Sequence, residues 1–344
     1  MLGRVAFVSA VAAMLAGCGG VGGTRDQIKA VGSSTVYPFT KAVAEAFHAK
    51  FPDRKAPVIE STGTGAGFKQ FCAGIGSAFP DIANASRRIT RAEFDSCKAN
   101  GAGEMLEIPI GIDGIAIAES NAGPKLQLTL KDIYLALAAN PMGTPNARRT
   151  WKDVNPALPA VPIQVYGPPS TSGTRDALTE LFLVRGCEAA YPEAKKIRES
   201  GDTAKFDSIC RRIRDDGAYV DKGENDNIIV QSLSTNPNAV GIFGYSYLEE
   251  NRDRLHGAPI EGIAPTAETI ANGKYPGARL LYIYVKKRHI PAVPGLSDFL
   301  NLYAAMWNPD GELTRHGLIA ASERTRQAAA YAIEAGEPLN PAEL

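Results

Sequence analysis

Hydrophobic positions along the chain alternate between two spacings, and this alternation predicts short strands that are each followed by a helix. The first unit begins with an apolar strand at 28–31, after which Phe39, Val43 and Phe47 recur every four residues on one helical face. Three further units repeat this arrangement, at 58–75, 82–101 and 163–182. Strands that alternate with helices indicate an α/β fold with mainly parallel sheets.

Two longer apolar runs, 105–119 and 280–285, predict extended segments. A chain of 344 residues is long for one hydrophobic core, so these runs are candidates for crossovers between two lobes. The pattern also predicts helices at 125–140 and 296–335, short buried strands at 228–230 and 240–243, and a surface excursion at 141–162.

The N-terminus has the outline of a secretory signal over residues 1–18, with one arginine, an apolar run and then small residues. Its ending, Leu15-Ala16-Gly17-Cys18, resembles a bacterial lipobox, in which Cys18 is lipidated and becomes the first residue of the mature protein. The alternative is a signal peptide cleaved nearby, with Cys18 incidental. The glycine-rich residues 19–26 predict a flexible tether.

Charge and motifs narrow the class of function. The chain has 37 basic and 37 acidic residues, which argues against binding nucleic acid through bulk positive charge. It contains no G-x-S-x-G, H-E-x-x-H or phosphate-loop motif, so we expect a binding protein without a cofactor rather than an enzyme. A hydrolase that uses a serine or threonine is the remaining catalytic alternative.

The cysteines other than Cys18 are Cys72, Cys97, Cys187 and Cys210. In an exported protein an even number of cysteines indicates disulfides, and four cysteines allow three pairings. We favour the local pairs, Cys72 with Cys97 and Cys187 with Cys210, because each would lie within one lobe. Zinc is the rival explanation, but there is no C-x-x-C and the four histidines are scattered, so we expect no metal.

Loops rich in hydroxyl groups follow four of the predicted strands. The candidate ligands in these loops are Ser34, Thr35, Thr64, Ser86, Arg87, Ser172, Gly173, Thr174 and Arg175. Hydroxyls and the free N–H groups of a helix start donate hydrogen bonds to anions, and arginine adds a charged fork. Because ligands bind at the carboxyl ends of strands in open α/β sheets, the loops are expected to converge on one small anion. For the loop at 170–175 taken alone, N-capping by serine or threonine explains the pattern equally well.

The chain, with these loops, resembles the periplasmic phosphate-binding proteins of bacterial phosphate ABC transporters, the PstS family. The matching segments are GSSTVYP (32–38), GTGAGFKQF (63–71), ASRRI (85–89), SGTR (172–175), ENDNIIVQ (224–231), GIFGYSYLEEN (241–251) and YPGARLLYIYVKK (275–287). The resemblance implies the type II periplasmic-binding-protein fold, in which two α/β lobes with mainly parallel sheets are joined by a two-segment hinge. It places lobe 1 at 27–112 plus 270–344 and lobe 2 at 113–269.

The resemblance also implies the ligands of one phosphate ion. They are Thr35, the backbone of Val36, Thr64, Ser86, Arg87 and, from the opposite lobe, Ser172, Gly173, Thr174 and Arg175. Ser34 is a further candidate that could instead be a local cap. The implied protein is a monomeric periplasmic lipoprotein, held at the membrane by its N-terminal lipid, that delivers inorganic phosphate to an inner-membrane ABC permease.

Two positions depart from the family pattern. Well-known members carry, after the serine of the third motif, an aspartate that accepts a proton from phosphate and so excludes sulfate; this chain has Arg87 there. They also carry an arginine at the position of Pro168, whose charge Arg175 is expected to supply here. Asp226 is the candidate acceptor or arginine partner, and its alternative is a turn residue. These departures keep two alternatives open: a receptor for sulfate or another tetrahedral oxyanion, and an anchored lipoprotein of the same fold without a transport role.

Overall fold

The computed structural model describes residues 25–170, 172–223 and 225–344, so the predicted signal peptide, Cys18 and most of the tether lie outside the described residues. The strands are β1 (Lys29–Gly32), β2 (Val58–Ser61), β3 (Ile82–Ala85), β4 (Met105–Ser120), β5 (Val165–Gly167), β6 (Tyr219–Asp221), β7 (Val240–Gly244), β8 (Leu255–Gly257) and β9 (Ala278–Lys286). The α-helices are α1 (Tyr37–Lys50), α2 (Thr64–Phe71), α3 (Arg91–Ala99), α4 (Leu130–Leu137), α5 (Trp151–Val154), α6 (Gly173–Ala177), α7 (Arg185–Ala190), α8 (Glu193–Glu199), α9 (Thr203–Phe206), α10 (Asp226–Thr235), α11 (Tyr245–Glu250), α12 (Ala267–Ala271), α13 (Leu296–Met306), α14 (Glu312–Arg315) and α15 (Glu323–Ala335). π-helical segments occupy Leu178–Val184 and Asp207–Arg211, and 3-10 turns occupy Pro141–Gly143, Lys287–His289 and Pro341–Glu343.

The strands form a mixed sheet in the order β2-β1-β3-β9-β4-β7-β5-β6, with β8 paired to β4. Parallel pairing joins β1 to β2 and β3, and it joins β5 to β6 and β7. The central strands pair antiparallel, since β9 pairs with β3 and β4, and β4 pairs with β7. The α/β class is therefore confirmed, with parallel strands at the two ends of the sheet and antiparallel strands between them.

The two long extended runs are the connections that the sequence predicts. Strand β4 is 16 residues long; its first part, 105–114, pairs with β9, and its second part, 115–119, pairs with β7. Strand β9 runs back beside the first part of β4 and joins β3. The chain thus passes between the halves of the sheet along β4, and the two strands lie side by side at its centre.

Two large apolar cores lie on either side of this central pair. The first packs α1 and α13 against β1 and β9, and in it the rings of Phe47 and Phe299 meet edge-on with centroids 5.8 Å apart. The second packs around β4, β5 and β7 and includes Phe182. We call the parts built on these cores the first and second lobes. Their limits along the chain remain a prediction, and the second core also includes Ile270 and Tyr275.

The predicted strand at 228–230 is wrong, because these residues lie in helix α10. The Asn225 side chain accepts a hydrogen bond from Asn227 N and caps this helix. Ile229 and Val230 are buried, whereas Ile228 is 44% exposed, so the apolar triplet wraps around a helix instead of lying in a sheet. The helix predicted at 125–140 is shorter than expected, since it begins only after the cap residue Thr129.

Both favoured disulfides are present. Cys72, which follows α2, is bonded to Cys97 in α3, and Cys187 in α7 is bonded to Cys210 in the second π-helical segment. Each bond therefore ties together two neighbouring helical segments of one lobe. Within the described ranges, no helix has the length and apolarity needed to cross a membrane.

Candidate anion-binding site

In the first lobe, the loops after β1, β2 and β3 end at the same edge of the sheet. Thr64, the first residue of α2, lies with its Oγ1 3.0 Å from Ser86 Oγ, and the same oxygen accepts a hydrogen bond from Ser86 N at 3.1 Å. Both side chains are buried. The second and third predicted loops therefore meet, and their two hydroxyls form one pair of potential donors.

Glycines permit this close approach of the loops. Gly32, at the end of β1, has φ of +133°, and a Cβ placed on it would lie 2.2 Å from Asn84 O. A Cβ on Gly67 would lie 2.4 Å from Gly32 Cα, so α2 packs directly on the turn after β1. Side chains at either position would push the three loops apart.

Thr35 connects the first lobe to the second. Its Oγ1 donates a hydrogen bond to Gly173 O at 3.1 Å, and the neighbouring Ser34 Oγ donates to Asp176 Oδ2 at 2.5 Å. A Cβ on Gly173 would lie 2.5 Å from Thr35 Cα, which shows how closely the two backbones approach. The N–H of Val36, predicted as a ligand, donates to Ser33 Oγ at 3.3 Å in this structure.

In the second lobe, Ser172 is the N-cap of α6. Its Oγ accepts a hydrogen bond from Thr174 N at 3.2 Å, so the capping explanation holds for this serine. A capping hydroxyl still has its own proton to donate, so capping and anion binding are compatible. The helix start and Gly173 face Thr35 across the boundary between the lobes.

The two predicted arginines are both engaged within their own lobes. Arg87 makes a two-pronged ion pair with Glu93, at 2.9 and 2.8 Å, and these hydrogen bonds raise the pKa of Arg87 above its ordinary value. Glu93 also closes the capping box of α3. Arg175 lies 4.3 Å from the ring centroid of Tyr219 and donates to Pro168 O at 3.1 Å.

Arg279, near the start of β9, also belongs to this group, although it was not among the predicted ligands. Its side chain is only 7% exposed, and its Nη2 donates a hydrogen bond to Thr35 Oγ1 at 2.9 Å. Its Nε lies 3.3 Å from Asp113 Oδ2, and its Nη1 donates to Glu180 Oε2 at 2.5 Å. Arg279 thus contacts the first lobe, the second lobe and β4 at once. The available signal was an arginine directly before the apolar run at 280–285.

Asp113 faces Arg279 because the two residues are partners in the register of β4 and β9. Burial raises the pKa of the Asp113 carboxyl above its ordinary value, although Arg279 acts in the opposite direction.

Asp226, the predicted acceptor, is buried in the first turn of α10, where its Oδ2 accepts a hydrogen bond from Gly244 N at 3.2 Å. This hydrogen bond ties the end of β7 to α10 and gives Asp226 a structural role as well.

A cavity of about 440 Å³ lies between the lobes beside these residues. Its lining comprises Ser86, Arg87, Arg88, Glu180, Leu181, Val184, Arg211, Arg279, Leu280 and Tyr282. Ser86 and Arg87 belong to the predicted ligand set, and Arg279 connects the cavity to Thr35. The arrangement offers hydroxyl and guanidinium donors at the edge of a partly enclosed space, which suits a small anion.

Comparison with known proteins identifies the family. Residues 20–305 match the PBP superfamily domain. The chain belongs to this superfamily. It is 30% identical over 304 residues to the protein SphX of Synechococcus elongatus, and the alignment covers 86% of this chain and 78% of SphX. It is 31% identical over 304 residues to the phosphate-binding protein PstS of Staphylococcus saprophyticus, covering 83% of this chain and 80% of that protein.

Within the superfamily these relatives place the chain in the PstS and SphX family, which confirms the resemblance noted in the sequence. The crystal structure of a possible phosphate binding protein from Planctomyces limnophilus superposes with a TM-score of 0.70 and 27% identity, covering 92% of this chain and 99% of that one. The periplasmic-binding-protein fold, with two α/β lobes and a hinge of two segments, is therefore confirmed as well.

Proposed function

We propose that this protein captures inorganic phosphate between its two lobes and delivers it to an ABC permease of the inner membrane. The observation that carries the proposal is the meeting of Thr35, Gly173 and Arg279, which brings a hydroxyl, a helix start and a buried guanidinium to one point between the lobes. The PstS relative is named a phosphate-binding protein, which supports phosphate as the ion.

The proposed ligands are those of the four loops together with Arg279. They are Ser34, Thr35, the backbone of Val36, Thr64, Ser86, Arg87, Ser172, Gly173, Thr174, Arg175 and Arg279. A hydrogen bond to a charged group contributes roughly 1.5–3 kcal/mol, and a micromolar dissociation constant corresponds to about −8 kcal/mol. A few such bonds therefore exceed micromolar affinity, and the surplus offsets desolvation and closure of the lobes.

The proposed setting is the periplasm, with the protein held at the membrane through a lipid on Cys18. A lipobox-like sequence and disulfides, which form in oxidising compartments, support this setting. We further propose that the protein acts as a monomer and that it catalyses no reaction; the second part is supported by the PstS relative, which is named a phosphate-binding protein. Arg87 favours one second candidate, a receptor for sulfate, since it stands where other members carry a proton acceptor.

Isothermal titration calorimetry with phosphate and with sulfate tests the proposal on the wild-type protein. Phosphate should bind with a single site per chain, and Thr35→Val should weaken binding at least tenfold, because it removes a hydroxyl that contacts both Gly173 and Arg279. The matched control is Thr235→Val, whose hydroxyl donates to Ser232 O at the end of α10 and whose loss should leave affinity unchanged. Heat from sulfate alone would establish the second candidate instead.

A further inference from the structure

Arg279 carries one positive charge but contacts two carboxylates. Asp113 lies against its Nε and Glu180 accepts from its Nη1, so with both acids ionised the group has an excess of negative charge. The guanidinium is almost completely buried, which strengthens these interactions relative to water. An anion that reaches Thr35 and Arg279 must therefore be accommodated beside a carboxylate.

Glu180 is the carboxylate in the better position to meet that anion. Among the residues that the structure describes, it is the one acidic side chain lining the cavity with Ser86 and Arg279. Its Oε2 is taken by Arg279, and its Oε1 has no hydrogen-bond partner in the described part of the chain. By contrast, both carboxylate oxygens of Glu93 are occupied by Arg87.

An ionised carboxylate only accepts hydrogen bonds, so it distinguishes between anions by their protons. Hydrogen phosphate and hydrogen arsenate still carry a proton at neutral pH and can donate it in a hydrogen bond. Sulfate has no proton to offer, and its charge is repelled by a carboxylate at contact distance. A carboxylate at this position therefore favours protonated tetrahedral anions.

We propose that Glu180 determines the specificity of the site by accepting a hydrogen bond from the protonated oxygen of the bound anion. Arg279 holds the carboxylate in place through Oε2 and leaves Oε1 for the anion. This inference rests on the proposed function and extends it, because it names hydrogen phosphate and hydrogen arsenate as the accepted class. It also places the hydrogen-bond acceptor in the second lobe. The third motif, in the first lobe, has Arg87 at the position where a carboxylate was expected.

The test is calorimetric titration of the wild-type protein and of Glu180→Gln with phosphate, arsenate and sulfate. The wild type should bind phosphate and arsenate and exclude sulfate. In Glu180→Gln, an amide that can donate replaces an oxygen that only accepts, so the ratio of phosphate to sulfate affinity should fall at least tenfold. Glu188→Gln is the matched comparison, because Glu188 lies two turns later in the same helical stretch and pairs with Arg198 rather than Arg279; its ratio should stay that of the wild type.

Thermal unfolding checks that each variant is folded. Glu180→Asp is a second test, because it keeps the carboxylate but shortens the side chain by one methylene group. Glu180→Asp should give a ratio between those of the wild type and Glu180→Gln. A ratio unchanged in folded Glu180→Gln, or equal binding of phosphate and sulfate by the wild type, overturns the assignment of Glu180. A wild type that binds no phosphate overturns the proposed function itself, so the two failures are distinguishable.

Discussion

At the scale of single residues, Gly173 is where backbone atoms of the two lobes come into contact. It combines three features: it follows the N-cap Ser172, its carbonyl accepts from Thr35, and its missing side chain leaves room for Thr35 Cα. An anion held between these loops depends on this approach, since the hydroxyl of one lobe and the helix start of the other must reach the same ion.

Gly173→Ala should therefore weaken phosphate binding at least tenfold, because its Cβ would lie 2.5 Å from Thr35 Cα and would force the lobes apart. Calorimetric titration measures the affinity. The matched control is Gly244→Ala, because Gly244 also lies at a helix start, as the N-cap of α11, but its Cβ would meet its neighbours at 3.8 Å or more. Equal affinities for the two folded variants would contradict the importance of the close approach.

At the scale of elements, local patterns were predictable and pairings between distant strands were not. The four-residue spacing of Phe39, Val43 and Phe47 predicted the buried face of α1, where all three side chains lie. The strand prediction at 228–230 was wrong because three apolar residues in a row fit a strand and a capped helix equally well. The partnership of Asp113 with Arg279 depends on the register of β4 against β9, which no local pattern contains.

The disulfides link helical segments, so their removal should lower stability. The Cys187–Cys210 bond closes a separation of 23 residues, and the Cys72–Cys97 bond closes one of 25. Constraints of this size contribute about 3 kcal/mol each through the entropy of the unfolded chain. Reduction should therefore lower the temperature of thermal unfolding, as measured by calorimetry, and the loss should be the same in Cys18→Ala. No change on reduction would contradict the prediction.

At the scale of the whole molecule, β4 and β9 join the strands of the two lobes into one sheet. Arg279 and Asp113 are register partners within this central pair. The predicted two-lobe architecture followed from the two long apolar runs. The contacts of Arg279 could be known only from the folded structure, because Thr35 and Glu180 are distant from it in the sequence.

The arrangement of the two cores also bears on the order in which the protein folds after export. The first core joins β1 and α1 to β9 and α13, which are separated along the chain by nearly the whole second lobe, whereas the second core draws mainly on one continuous stretch. Contacts between distant segments form late, because closing the intervening chain costs entropy before those contacts are made. Pulse-labelling hydrogen exchange during refolding should show amides of β5 and β7 protected before those of β1, and the reverse order would contradict this expectation.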